Sequence, residues 1–260
     1  MKVAVSGKGG VGKTLVSAGL AYALARKGFK TIAIDADPSP NLALTLGLSP
    51  EESRRIVPIS ENKALIESKT GTGYSGVYRL TFTVDDIVRD YSVRTPFNVN
   101  LIVMGTIRSP GSGCTCPANA VVRSLLHHLV VERDEAVIVD MEAGVEHVGR
   151  GTAQHVDHMI VVVNANLKSL EIGRHIHDLA VKAGMRRVSV VANKIENETQ
   201  QAVVESYALE HGLKILNVIP YDAKIAEAEL RGETPLKYAS ESTAMKAIET
   251  LCERLLMENA

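Results

Sequence analysis

The sequence predicts an α/β fold, with a mostly parallel sheet of about seven or eight strands and helices on both faces. Short β-branched apolar runs alternate along the chain with stretches of helical periodicity, which is the order expected of parallel strands joined by crossover helices. The chain has 260 residues, of which 45% are hydrophobic, and this is enough to bury a large core without disulfides. We therefore expect a single domain over residues 1–260.

The apolar runs predict strands at Lys2–Ser6, Thr31–Asp35, Val99–Met104, Ala136–Asp140, His158–Val163, Val188–Asn193 and Lys214–Ile219. Helical periodicity predicts helices near Lys13–Lys27, Ala118–Val131, Lys168–Ala183, Glu198–His211, Asp222–Leu230 and Thr243–Met257. Residues 49–95 interrupt the alternation of strands and helices, because they are rich in serine, glycine and charged side chains. We expect an inserted excursion of helix and loop there, within the same domain.

A glycine-rich loop follows the first predicted strand. It reads Gly7-Lys8-Gly9-Gly10-Val11-Gly12-Lys13-Thr14 and matches the phosphate-binding pattern G-x-x-x-x-G-K-[ST] between a strand and a helix. Its glycines allow backbone N–H groups to surround phosphate oxygens at the helix N-terminus. Lys13 is expected to reach the β and γ phosphates, and Thr14 to bind Mg²⁺ through its hydroxyl. The sequence therefore predicts a P-loop nucleoside triphosphatase.

Carboxylates follow two of the predicted strands, at the sheet edge where nucleotides bind in such folds. Asp140 ends an apolar run, and its expected role is to hold a water molecule on Mg²⁺. Asp37 follows the second strand, where a carboxylate can accept a proton from water or bind through the magnesium shell. Asp35 is as well placed to cap the next helix as to act in the site.

Lys8 is a second lysine that an ordinary phosphate loop does not need. The sequence K-G-G-V-G-K-T resembles the deviant phosphate loop of the family that contains MinD, ParA and the nitrogenase iron protein. The resemblance implies that Lys8 reaches across a homodimer to the partner's nucleotide, with ATP and ADP as the ligands. It also implies that Asp37 orients the attacking water, and that Asn193, Lys194 and Pro220 lie at the adenine.

A C-x-C motif, Cys114-Thr115-Cys116, lies between glycine, serine and proline residues that predict a loop. Cysteines one residue apart do not readily form a disulfide with each other, and two thiolates leave a metal short of its usual four ligands. Two copies facing each other across a twofold axis would complete a four-thiolate site. Such a site accepts Zn²⁺ or Ni²⁺, and ligand chemistry does not choose between them. Cys252 instead lies at helical spacing among leucines and is expected in the core.

The C-x-C motif combines with D-M-E-A-G-V-E-H-V-G-R-G at residues 140–151, a predicted switch II in which His147 is a candidate partner contact. This combination resembles the CooC-type maturation ATPases of nickel carbon monoxide dehydrogenase. The resemblance implies a homodimeric metallochaperone that binds Ni²⁺ at Cys114 and Cys116. It further implies that ATP hydrolysis delivers nickel to apo carbon monoxide dehydrogenase or acetyl-CoA synthase.

Charge and hydropathy limit the other function classes. The net charge is −1, which gives no global reason to bind nucleic acid. No apolar run has membrane-spanning length, and three cysteines with no leader-like N-terminus favour the reducing cytoplasm. In the nitrogenase iron protein, whose phosphate loop this one resembles, each subunit gives two well-separated cysteines to a bridging iron–sulfur cluster, whereas here the only cysteine besides the C-x-C pair is Cys252. This spacing disfavours a redox ATPase of that kind. A MinD- or ParA-type positioning ATPase would need an amphipathic tail or a basic face. The run Ala244–Met257 predicts a packed helix instead, with Glu249, Glu253 and Glu258 on its polar side.

Overall fold

The computed structural model describes residues 1–37, 39–72, 85–105, 121, 124–125, 135–141 and 156–259. Within them, one eight-stranded sheet runs through the molecule, in the order β3-β4-β2-β5-β1-β6-β7-β8. The strands are β1 (Lys2–Gly7), β2 (Lys30–Ala36), β3 (Val93–Arg94), β4 (Val99–Val103), β5 (Glu135–Met141), β6 (His158–Val163), β7 (Val188–Ile195) and β8 (Ile215–Pro220). All neighbouring pairs are parallel except β3 and β4. The predicted α/β fold is confirmed.

The described helices are α1 (Lys13–Arg26), α2 (Leu42–Thr45), α3 (Pro50–Arg55), α4 (Lys63–Thr70), α5 (Asp85–Tyr91), α6 (Leu167–Lys182), α7 (Glu198–Glu210), α8 (Ala223–Arg231), α9 (Pro235–Tyr238) and α10 (Thr243–Asn259). A 3₁₀ turn spans Ile59–Glu61. Each of the seven predicted strands corresponds to an observed one, with ends that differ by no more than two residues. Most of the predicted helix Ala118–Val131 lies outside the described residues. The excursion at residues 49–95 contains α3, α4, α5 and the antiparallel edge strand β3.

The central strands are buried on both faces, so they read as continuous apolar runs. Alternate residues of β1 point to opposite sides: Val3 and Val5 pack with α1 and α10, whereas Ala4 packs on the opposite face with residues of α6. Helices on both faces therefore hold the carboxyl ends of β1, β2 and β5 at one edge of the sheet. The phosphate loop begins at that edge.

The C-terminal run forms the predicted packed helix, α10, and it packs along α1. Cys252 is fully buried in this contact, and burial raises the pKa of its thiol to about 11. The polar side carries Glu249, whose carboxylate lies 2.6 Å from the Arg26 guanidinium, and Glu253, which lies 3.1 Å from the Lys27 ammonium. No helix in the described part of the chain is long and apolar enough to cross a bilayer.

Candidate nucleotide site

The phosphate loop joins the end of β1 to the start of α1, and its shape requires glycine. Gly10 and Gly12 have φ values of 80° and 95°, which L side chains rarely adopt. A Cβ on Gly12 would also lie 2.3 Å from Nδ2 of Asn193, whereas a Cβ on Gly9 or Gly10 would meet nothing within 4 Å. The loop is therefore tight against β7 and open on the side that faces the cavity.

Lys13 is the first residue of α1 and Thr14 the second, and both line the cavity. Asp140, near the end of β5, pairs in register with Val5 of β1 and is 1% exposed. Its carboxylate accepts a hydrogen bond from the hydroxyl of Ser17 at 3.0 Å, and the hydroxyl of Thr14 lies near the same carboxylate. Burial raises the pKa of Asp140 to about 6, while the two hydroxyls and Lys13 oppose that rise. The predicted partners Thr14 and Asp140 thus meet.

These groups fit a magnesium ion. A threonine hydroxyl and a carboxylate are hard oxygen ligands, which Mg²⁺ prefers alongside water and phosphate oxygens. Ser17 was missing from the predicted site, although it is fully buried against Asp140. Its spacing of three residues from Thr14 on one helix face is the signal that would have found it.

Asp35 lies beside Asp140, because the β2–β5 register pairs these two residues directly. Its carboxylate is fully buried and accepts the backbone N–H groups of Asp37 at 3.2 Å and Leu42 at 2.9 Å. Burial raises the pKa of Asp35 to about 7, against the effect of these two hydrogen bonds. Since Leu42 is the first residue of α2, the capping alternative for Asp35 is what the structure shows.

Asp37 lies in the wall of the cavity that also contains Thr14. Its carboxylate accepts the backbone N–H of Ser39 at 2.9 Å. Lys8 precedes the open part of the phosphate loop and is half-buried, with its carbonyl accepting the N–H of Val11 at 3.4 Å. The roles predicted for Asp37 with water and for Lys8 with a partner's nucleotide stay predictions.

The end of β7 braces the phosphate loop from the other side. The side-chain nitrogen of Asn193 donates to the carbonyl of Val11 at 2.7 Å, and the Lys194 ammonium donates to the carbonyl of Gly10 at 3.2 Å. Lys194 itself adopts a φ of 58°. Pro220 ends β8, beside the β7 end. The bond to Val11 engages the amide donor of Asn193, and the adenine-binding role of these three residues stays a prediction.

The cavity has a volume of about 960 Å³, at the upper end of the range for ligand pockets. Besides the phosphate loop, it is lined by α2 and the segment after it, and by the turn between α8 and α9. The Thr234 hydroxyl donates to the carbonyl of Thr45 at 2.5 Å and closes the far wall. This wall was not predicted, since residues 189 apart in sequence meet there.

The predicted metal ligands Cys114 and Cys116 lie outside the described residues, as does switch II from Glu142 through His147. Among the residues that the structure describes, no group of three or more histidine, cysteine, aspartate or glutamate side chains is arranged to hold a metal ion. Cys252, the third cysteine, is fully buried on α10.

Comparison with known proteins identifies relatives over nearly the whole chain. Residues 2–236 match the family model of the CobQ/CobB/MinD/ParA nucleotide binding domain. The chain is 39% identical over 254 residues to an uncharacterized ATP-binding protein of Methanocaldococcus jannaschii, with 96% of each chain covered. It is also 39% identical over 234 residues to the carbon monoxide dehydrogenase accessory protein CooC of Rhodospirillum rubrum, covering 89% of this chain and 88% of CooC.

A ParA family ATPase from Chlorobium tepidum superimposes with a TM-score of 0.73 at 20% identity, covering 98% of each chain. This likeness concerns the fold alone. The family match and the ATP-binding relative at 39% identity agree with the phosphate loop. The chain belongs to the CobQ/CobB/MinD/ParA family and is a P-loop ATPase that hydrolyses ATP.

Proposed function

We propose that this ATPase is a metallochaperone, which binds Ni²⁺ between two copies of the chain and assists its insertion into carbon monoxide dehydrogenase or acetyl-CoA synthase. The observation that carries the proposal is the 39% identity to the accessory protein CooC over 89% of this chain. The C-x-C motif at residues 114–116 supplies the metal chemistry that such a role requires. In this proposal, Ni²⁺ is the ion that the protein transfers, and ATP hydrolysis supplies the free energy for the transfer.

In the ATPase step, the chain's own groups divide the work. The N–H groups of Gly9 to Thr14 and the N-terminus of α1 bind the phosphates, and Lys13 stabilises charge on the β and γ phosphates. Mg²⁺, when bound, neutralises the charge that develops on the phosphate oxygens. Thr14 and Asp140 would hold that ion. Asp37 orients the attacking water, and Lys8 contacts the nucleotide of the partner protomer.

The cargo site needs two chains. Cys114 and Cys116 give two thiolates per chain, and a soft metal in a thiolate site takes four. A homodimer supplies the missing pair, so assembly of the dimer and of the metal site become one event. Because Lys8 ties the nucleotide to the same dimer, ATP turnover would control whether the metal is held or released.

The test is metal stoichiometry measured together with oligomeric mass. The full chain is loaded with NiCl₂ or ZnCl₂, with ADP or with ATP, and its metal content and mass are determined by elemental analysis and light scattering. We expect about one metal ion per two chains, because four thiolates complete one coordination shell. The double variant Cys114→Ser/Cys116→Ser should lose the ion.

The matched control is Cys252→Ala, which removes the buried third cysteine and should leave metal binding unchanged. Full metal content in the double variant, or a monomeric mass with every nucleotide, would contradict the proposal. Iron–sulfur absorption bands in anaerobically purified protein would instead favour a redox ATPase. If the metal result holds, ATP-dependent activation of apo carbon monoxide dehydrogenase by Ni²⁺ identifies the client.

A further inference from the structure

The side chain of Asp35 forms hydrogen bonds with both ends of the segment that joins β2 to α2. Asp35 accepts the N–H of Asp37 on Oδ1 at 3.2 Å and the N–H of Leu42 on Oδ2 at 2.9 Å. One bond holds the residue that leaves β2, and the other holds the first residue of α2. The two ends of the segment are therefore fixed to the same carboxylate.

Only a carboxylate satisfies this geometry. Both groups that face Asp35 are N–H donors, so both side-chain oxygens must be acceptors, whereas an asparagine has one acceptor and one donor group. The side chain is also fully buried. A buried carboxylate is costly unless it is hydrogen-bonded, and bonds from N–H groups to an ionised oxygen are stronger than neutral ones.

The usual local cap of α2 is missing. Asn41 occupies the N-cap position, but its side chain makes no capping bond. Its amide nitrogen donates instead to the carbonyl of Ser39 at 2.9 Å, and Asn41 lines the nucleotide cavity. Asp35 caps α2 from a neighbouring strand, and so links this short helix to the sheet.

The sheet places the hydrogen bonds of Asp35 next to Asp140, the carboxylate that is expected at the magnesium ion. Asp35 is the direct neighbour of Asp140 in the β2–β5 pairing, and its own carbonyl accepts the N–H of Met104 at 2.8 Å from the β4 side. The backbone of Asp35 is thus held between two strands. Its side-chain hydrogen bond then holds the backbone N–H of Asp37 in a fixed position relative to these strands. Asp37 in turn lies in the cavity wall with Thr14.

We propose that Asp35 is a positioning residue of the ATPase, which holds the backbone of Asp37 and the first residue of α2 and thereby fixes Asp37 for hydrolysis. Asp35 does not touch the nucleotide and acts through Asp37. This inference rests on the role proposed above for Asp37 and is independent of nickel.

The first test is a double-mutant cycle with Asp35→Asn and Asp37→Ala, measured as kcat for ATP hydrolysis and as the Kd for ATP. Asp35→Asn replaces one acceptor oxygen with an NH₂ group, which then faces a backbone N–H donor. Because one buried hydrogen bond is lost, we expect kcat to fall about tenfold or more. The Kd should change less than about threefold, because the phosphate loop is untouched. In the double variant, kcat should fall no further than in Asp37→Ala alone.

The matched control is Asp157→Asn, which removes a carboxylate that accepts the N–H of Lys2 at 2.7 Å at the opposite end of the sheet. It should leave kcat unchanged. Multiplied losses in the double variant, or a parallel change in kcat and Kd, would overturn the role of Asp35. An unchanged kcat in Asp37→Ala would overturn the proposed role of Asp37 itself.

A second measurement needs no variant and covers the case in which Asp35→Asn does not fold. Hydrogen exchange of the native chain should give similar protection at the amides of Asp37 and Leu42, because one side chain holds both and they open together. Strong protection of Leu42 with free exchange at Asp37 would show that Asp35 caps α2 only, and would overturn the proposal.

Discussion

The hydroxyl of Ser17 on α1 donates to the carboxylate of Asp140 at 3.0 Å, and the hydroxyl of Thr14 lies near the same carboxylate. The serine bond orients a carboxylate that is 1% exposed. Orientation matters here because an ion shell accepts only a narrow range of oxygen positions. Ser17 therefore belongs to the site through Asp140, without needing to contact the nucleotide.

We expect Ser17→Ala to raise the Mg²⁺ concentration that half-maximal ATP binding requires by about three- to tenfold, because one buried hydrogen bond of about 1 kcal/mol is lost. The measurement is a Mg²⁺ titration of ATP affinity by calorimetry. Ser169→Ala, which removes another fully buried serine hydroxyl that accepts the N–H of Asn164, is the control. Equal Mg²⁺ curves for the native chain and Ser17→Ala would contradict the role given to Ser17.

The residues of the phosphate loop were predictable because their spacing encodes the chemistry locally. Lys13 and Thr14 follow from the motif, and Asp140 from an apolar run that ends in a carboxylate. The spacing of Ser17 from Thr14 marks it as a candidate, but its bond to Asp140 joins residues 123 apart in sequence. That Asp35 lies beside Asp140 depends on which strands are neighbours, and sequence spacing does not state that order.

Helix α6 approaches the sheet closely through a single glycine. A Cβ on Gly173 would lie 2.4 Å from Cγ1 of Val163, which ends β6. Real Cβ atoms do not come so near, and a valine side chain has little freedom to turn away. The distance between this helix and the strand is therefore set by the absence of one methyl group.

Gly173→Ala should lower the free energy of unfolding by about 1–3 kcal/mol through overpacking, although alanine favours a helix interior by about 1 kcal/mol. The variant Gly173→Ala/Val163→Ala makes room for the new methyl group. Its loss should be smaller than the sum of the two single losses, as urea unfolding will measure. A stabilised Gly173→Ala would show that α6 shifts away from β6 at no cost.

Elements of ordinary length were predictable, and very short ones were not. The seven predicted strands span enough residues to show a pattern, whereas β3 has two residues and α2 and α9 have four each. A pattern of period 2 or 3.6 needs more residues than these elements contain. Their positions come from tertiary contacts, such as the Thr234–Thr45 bond that joins the start of α9 to α2.

At the end of the sheet opposite the nucleotide, a buried histidine links two strands to the C-terminal helix. His158 of β6 is fully buried, with Nε2 3.0 Å from the Ser189 hydroxyl of β7 and Nδ1 3.5 Å from the carboxylate of Glu258 on α10. Burial lowers the pKa of His158 to about 4, and Lys214 and Arg187 add to this while Glu258 opposes it. The folded protein therefore favours the neutral imidazole.

The free energy of unfolding should depend on pH through His158. In the unfolded chain, a histidine takes up a proton near pH 6.5, so the unfolded state binds more protons between pH 6.5 and 4. The contribution of His158 is complete above pH 6.5 and falls as the pH is lowered towards 4, by about 2 kcal/mol at pH 5. Urea unfolding at pH 7 and pH 5 measures it. His158→Gln should reduce the difference between the two pH values, and an unchanged difference would contradict this account.

The sequence by itself determined the fold class and the nucleotide chemistry, and it predicted Lys13, Thr14 and Asp140 as site residues, because these are set by patterns within short segments. Only the tertiary structure decided how β2 and β5 pair, and hence that Asp35 lies beside Asp140. It also decided that the cavity is closed by α2 and α9. The physical reason is that strand order and helix packing join residues that are far apart along the chain, where local patterns carry no information.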